Sequence, residues 1–200
     1  MEAPAALSHL SPSITKMIRM DHSHVMVVFH KYEVDASPSK KQAIVNTVTL
    51  ALEIHAQLEE EIFYPALQAV AADNEALKKA KPEHNEMKRL IAKLRSMSPS
   101  DANYDATFME LMRDVVHHVA DEETIMLPAA ESLLKDRLGE LGAKMTARRL
   151  QLAAPHAGEI AVNSVRAMPV TTMVMAGALV AGGWLMARAF QPAARPKWRF

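Results

Sequence analysis

Between His55 and Pro65 the chain reads HAQLEEEIFYP, and between His118 and Pro128 it reads HVADEETIMLP. This repeated stretch constrains the fold more than any other, because it keeps polar residues as well as apolar ones. Aligned through the alanine that follows each proline, six of twelve positions are identical: the histidine, two glutamates, the isoleucine, the proline and the alanine. Packing alone would repeat only the apolar positions. On an α-helix, residues four apart lie about 40° apart around the axis and roughly 6 Å along it. His55 therefore points the same way as Glu59, and His118 the same way as Glu122. Glu60 and Glu123, one residue on, are turned by about 100° and are expected on a flank or in solvent.

The repeat extends beyond this motif. Asp21-His22 resembles Glu83-His84, each followed three residues later by an apolar side chain, Val25 or Met87. His22 and His84 are 62 residues apart, and His55 and His118 are 63 apart. The chain thus reads as two copies of a helical hairpin, each with a single His on its first helix and His-x-x-x-Glu on its second.

Taken in order, residues 1–11 are expected to be flexible, and a first helix runs from Pro12 to Glu33 with Ile14, Met17, Ile18, Val25, Val28 and Phe29 on one face. Asp35–Ser39, DASPS, supplies a turn and a Ser cap for a second helix that carries Ile44, Val48, Leu52 and His55 and ends near Asp73. Pro82 fits the first turn of a third helix through His84, Met87, Leu90, Ile91 and Leu94. Ser98–Asp101 breaks it, and a fourth helix with Phe108, Leu111, Met112, Val115 and His118 reaches about Leu134. Short turns between four such helices predict an all-α, up-down-up-down four-helix bundle. Residues 137–153 predict a further helix with a polar face, so the bundle and its extra helix occupy 12–150. Residues 151–166 read as a linker.

The uncharged stretch 167–187, AMPVTTMVMAGALVAGGWLMA, is close to the roughly 20 residues a bilayer core requires. It predicts a membrane span or an apolar helix over 167–188, followed by a basic tail over 189–200 with Arg195, Lys197 and Arg199. The N-terminus has no basic region followed by an apolar run, so no secretory signal is expected and the bundle is expected in the cytoplasm. Twenty-three basic residues balance 23 acidic ones, which gives no electrostatic reason to invoke nucleic acid.

The chain has no cysteine. Disulfides, thiolate zinc sites and iron–sulfur clusters are excluded, and imidazole and carboxylate remain as the strong metal ligands. Closing the two hairpins around one axis places His22, His55, Glu59, His84, His118 and Glu122 at one level of the core. Six ligands exceed what one tetrahedral zinc accepts. Two carboxylates among four imidazoles suit a pair of octahedral-preferring ions sharing Glu59 and Glu122, with iron the natural choice. Met17, Met87, Met112 and Met126 are read as core filler rather than ligands. His117 offers a second spacing, His117-x4-Glu122, but the internal repeat favours His118. Ferritin-like di-iron bundles need Glu-x-x-His on two helices, and no Glu-x-x-His occurs here.

These residues resemble the hemerythrin-like (HHE cation-binding) domain family over residues 12 to about 150. Its helices carry a single His, His-x-x-x-Glu with a trailing Phe/Tyr-Pro, a second single His and a second His-x-x-x-Glu. The resemblance implies that His22, His55, Glu59, His84, His118 and Glu122 hold two iron ions, oxo- or hydroxo-bridged, and that the partner is a small ligand: oxygen, nitric oxide or peroxide. The chain departs from the oxygen-carrying hemerythrins, which have two histidines four apart on the third helix where this chain has His84 and Lys88. That brings it closer to the six-ligand proteins that repair iron centres under nitrosative stress, although it lacks their cysteine-bearing domain. Iron donation is therefore an alternative function, and a metal-free or zinc-bound structural bundle is a second.

Overall fold

A computed structural model describes residues 11–167. Residues 1–10 and 168–200 lie outside the described residues, and with them nearly all of the apolar stretch 167–187 and the basic tail. Among the described residues, no helix is long and apolar enough to cross a membrane.

The first helix, α1, spans Ile14–Phe29 and starts at Ser13, whose hydroxyl accepts the Lys16 amide proton. α2 begins at Pro38, which follows the capping Ser37. It runs as Pro38–Leu58, continues through a π-helical turn at Glu59–Phe63 and ends as Tyr64–Gln68. α4 repeats that construction as Tyr104–Asp121, a π-helical turn at Glu122–Met126 and Leu127–Leu133. α3 spans Glu75–Arg95 between them and packs along α4, as α1 packs along α2. The result is the all-helical bundle that the hairpin repeat predicts.

Two local differences from the sequence reading have simple causes. The third helix does not start at Pro82: Asn74 caps it, its side-chain oxygen accepting the Leu77 amide proton at 3.0 Å, and Pro82 lies inside the helix. The proline forfeits one backbone bond. The turns before it nonetheless stay helical, because Ala76, Leu77 and Ala80 are buried in the core. Residues 151–166, read from the sequence as a linker, are helical. α5 (Leu138–Ala153) passes through a short 3₁₀ turn into α6 (Ala157–Ala167), and α6 packs against α2. Pro155 sits in that turn, where its missing N–H costs little.

The core is in two parts. One gathers Ile14, Ile18, Leu58, Phe63, Leu67 and Leu127, and the other Val25, Val48, Leu90, Phe108, Leu111 and Val115. On every bundle helix the predicted polar ligands fall between the residues of one part and those of the other: His22 between Ile18 and Val25, and His84 between Ala80 and Met87. The site is a polar layer across an otherwise apolar bundle. The four methionines read as filler, Met17, Met87, Met112 and Met126, are all buried in these two clusters.

α5 closes over α1 at close range. A Cβ on Gly142 would lie 2.1 Å from the Pro12 carbonyl oxygen, so only glycine permits this approach.

Candidate metal centre

All six predicted residues are buried and converge. Glu59 and Glu122 are 0% exposed. One group of ligand atoms comes from His22, His55, Glu59 and Glu122 and a second from Glu59, His84 and His118; within each group the atoms lie within 4.8 Å of one another. Glu59 belongs to both. His22 Nε2 is 3.0 Å from Glu122 Oε2 and His55 Nε2 is 3.2 Å from Glu59 Oε2. His84 Nε2 and His118 Nε2 are 3.0 Å apart. His117 is exposed, which leaves His118 as the inward residue, and His24, turned about 200° from His22 around the helix, is also exposed.

Each ring turns its Nε2 inward because its Nδ1 is held by a carboxylate. His22 Nδ1 pairs with Glu123 at 2.8 Å and His84 Nδ1 with Glu60 at 3.0 Å. His55 Nδ1 pairs with Asp21 at 3.3 Å and His118 Nδ1 with Glu83 at 2.7 Å. A carboxylate only accepts, so Nδ1 carries the proton and the lone pair of Nε2 is left for a cation. The pattern obeys the repeat. The acid before each single histidine holds the histidine of the same hairpin's second helix. The acid after each motif glutamate holds a single histidine: Glu60 that of the other hairpin, and Glu123 that of the first. Glu60 and Glu123, expected on a flank or in solvent, are on the flank and half-buried, where they fix the inner ligands. Lys88 and Arg19 hold them in turn from outside.

The sequence reading missed Tyr64. Its hydroxyl lies 3.2 Å from Glu59 Oε2, 3.2 Å from His84 Nε2, 3.4 Å from His118 Nε2 and 3.0 Å from Glu122 Oε1. Five residues along an α-helix would turn it about 140° away from Glu59. The π-helical turn restores it, because the Tyr64 amide bonds to the Glu59 carbonyl five residues back and stacks the two residues on one face. The signal was the repeated proline. Pro65 and Pro128 each follow such a turn by two residues, and a widened turn removes the clash of the ring with the preceding carbonyl. In the second copy Leu127 stands where Tyr64 does, so the hydroxyl is supplied from one side alone.

The electrostatics are those of a cation site. Burial, and then the adjacent Glu122, push the Glu59 carboxyl well above its ordinary range. Burial alone would raise Glu122 too, but His22, His118 and His55 outweigh it and bring Glu122 down to about 2. Burial and the neighbouring His118 lower His84 to about 4. Burial would raise Asp21, and the His55 ring and the Arg149 guanidinium overcome it, to about 2. Burial raises the Tyr64 phenol well above its usual value, with Glu59 and Glu122 adding to it.

The residues fit a metal. His55 Nε2 and Glu59 Oε1 are buried with no hydrogen-bond partner among the described residues. Two imidazole lone pairs face each other at 3.0 Å. Both features are costly unless a cation takes them. Beside the layer is a small cavity of about 20 Å³, walled by Val25, Leu52, Met87, Ile91, Val115 and Val119 and reaching all four histidines. That is room for something the size of a water molecule.

Comparison with known proteins agrees with this geometry. The family described as Hemerythrin HHE cation binding domain matches residues 13–130. A DNA nickase from Nostoc sp. is 29% identical over 128 residues; the match covers 64% of this chain and 36% of that protein, so the chain spans about a third of that relative's length. The crystal structure of a Hemerythrin HHE cation binding domain-containing protein from Mycobacterium kansasii superimposes with a TM-score of 0.63 at 22% identity, covering 78% of this chain and 99% of that one.

Proposed function

Because the chain belongs to the hemerythrin HHE cation-binding family, we propose that it is a non-haem di-iron protein that takes oxygen, nitric oxide or peroxide. One observation carries the reading: two groups of ligand atoms meet at a shared carboxylate, Glu59. A single ion would leave one group unused. His22, His55, Glu59 and Glu122 would hold one ion, and His84, His118 and Glu59 the other, with the Tyr64 hydroxyl beside the second group. Nitrogen and oxygen donors without sulfur suit iron, and six of them fill less than two octahedra. When bound, the ion pair supplies redox-active coordination positions for the small ligand.

The chain's own groups account for selectivity. The cavity of about 20 Å³ admits a diatomic molecule or peroxide and excludes larger substrates. Its wall of Val, Leu, Met and Ile offers a water molecule almost no hydrogen-bond partner. The outer carboxylates Asp21, Glu60, Glu83 and Glu123 hold the four rings in one tautomer, so ligand uptake does not require them to reorient. Tyr64 places one O–H donor at the edge of the layer, where it can donate to a bound anion.

Anaerobic loading with ferrous iron followed by metal analysis and oxidation tests this. Two irons per chain and a new ligand-to-metal absorption band are expected. One iron per chain, or retention of zinc alone after loading, overturns it.

A further inference from the structure

α5 lies beyond residues 13–130, the part of the chain that the cation-binding family matches, yet one of its side chains reaches the outer ring of carboxylates. We propose that Arg149 is a positioning residue for the metal centre: it holds Asp21 in the orientation that fixes the His55 ring. This role rests on the six buried residues being ligands of a cation.

His55 is the least anchored of the four rings. His22 meets Glu122 at Nε2 and Glu123 at Nδ1. His84 and His118 meet each other and the Tyr64 hydroxyl, as well as Glu60 and Glu83. His55 has one hydrogen bond among the described residues, to Asp21, and its Nε2 has none. At 3.3 Å that bond is also the longest of the four made by the Nδ1 atoms. A ring held by a single acceptor points where that acceptor allows.

Asp21 does not keep its orientation alone. Its side chain is 15% exposed, against 23% for Glu60, 30% for Glu123 and 35% for Glu83, so it is the most buried of the four outer carboxylates. A buried carboxylate needs a cation beside it. Arg149 supplies one as a fork, one terminal nitrogen donating to each Asp21 oxygen. A fork fixes the plane of a carboxylate, whereas a lysine ammonium acts as a point charge. The His55 Nδ1–H donates to Oδ2, one of the same two oxygens, so the plane set by Arg149 decides whether that oxygen meets the ring.

The cations that hold Glu123 and Glu60, Arg19 and Lys88, belong to the bundle helices α1 and α3. Arg149 comes from α5, which is itself seated on α1. Gly142 lies against Pro12, and the Thr146 hydroxyl meets the Met17 sulfur at 3.3 Å. About one turn further along both helices, Arg149 meets Asp21. The packing of α5 thereby sets the geometry of one ligand inside the bundle.

The test compares the full-length parent with Arg149→Lys, which keeps the charge and loses the fork. In the metal-free proteins, nitrogen-15 NMR of the histidine rings, assigned with His55→Ala, should show the His55 signals shifted or broadened and those of His84 and His118 unmoved. Arg148→Lys is the control for loosening of α5, because Arg148 pairs with Glu61 and touches no outer carboxylate; it should leave His55 unchanged. Ferrous iron affinity, read anaerobically by chelator competition, should fall about threefold to tenfold in Arg149→Lys, the worth of one hydrogen bond. Asp21→Ala should cost about tenfold to a hundredfold, and in that background Arg149→Lys should cost nothing more. The proposal is overturned if the His55 signals do not respond to Arg149→Lys, if Arg148→Lys moves them equally, or if Arg149→Lys weakens binding as much without Asp21 as with it. The ring signals are read without metal, so a protein that takes up no iron refutes the cation site while these signals still decide the role of Arg149.

Discussion

Glu59 and Glu122 lie side by side with no exposure to solvent, and Glu59 Oε1 has no partner among the described residues. Without a metal, this pair must hold a proton or bear two adjacent buried charges. Glu59→Gln removes the charge at nearly constant shape. The new amide N–H can donate to the unpartnered His55 Nε2, which lies 3.2 Å from Glu59 Oε2; a buried group left unsatisfied costs about 1–3 kcal/mol, so the metal-free variant should be more stable than the metal-free parent by that amount. In a chain of this length, a change of 1 kcal/mol moves Tm by about 2–4 °C, which gives a rise of roughly 2–12 °C. The size of this gain depends on pH. The folded-state pKa of Glu59 is raised above its ordinary value of 4.5. Below about 4.5 the group is protonated in both states and contributes fully to stability, and that contribution is lost as pH rises toward the folded value. The advantage of the glutamine should therefore be small in acid and open as pH rises above 4.5. Metal reverses the order: at 100 times its dissociation constant, a ligand adds about 2.7 kcal/mol to the parent, and the variant should lose most of that gain. Calorimetric scans of both proteins, stripped and loaded, between pH 4 and 8 measure all of this. A stripped variant that melts below the stripped parent at pH 7, or that keeps the full metal-induced shift, would refute the reasoning.

Two other perturbations probe separate parts of the structure. Tyr64→Phe removes the hydroxyl that contacts Glu59, Glu122, His84 and His118 and should weaken metal binding by about tenfold to a hundredfold, since a charge-assisted hydrogen bond is worth about 1.5–3 kcal/mol; metal titration followed by chelator competition reads the affinities, and unchanged affinities would mean that the hydroxyl does not bear on the ligands. Gly142→Ala forces a methyl group against the Pro12 carbonyl and should destabilise the protein by about 1–3 kcal/mol; an unchanged Tm would mean that α5 does not pack as described.

The sequence alone determined the bundle and the six inward residues. Both follow from a fixed periodicity: histidine and glutamate four apart share a face on any α-helix, and two copies of the same hairpin can bury that face only against each other. Composition also excluded thiolate ligands before any fold was known. What lay outside it are features that break the period or join distant segments. Counting 3.6 residues per turn carries Tyr64 off the face of Glu59, and only the π-helical turn at Glu59–Phe63 returns it. The ring of outer carboxylates could not be assigned in advance, because Glu60 finds His84 and Glu123 finds His22 across helices whose rotation is set by packing. Residues 151–166 look like a linker as a string, and become helical because α6 has a face of α2 to cover. Periodicity is a property of one helix, which is why the sequence carries it; pairing between helices depends on the angle and depth at which they meet, which only the folded chain defines.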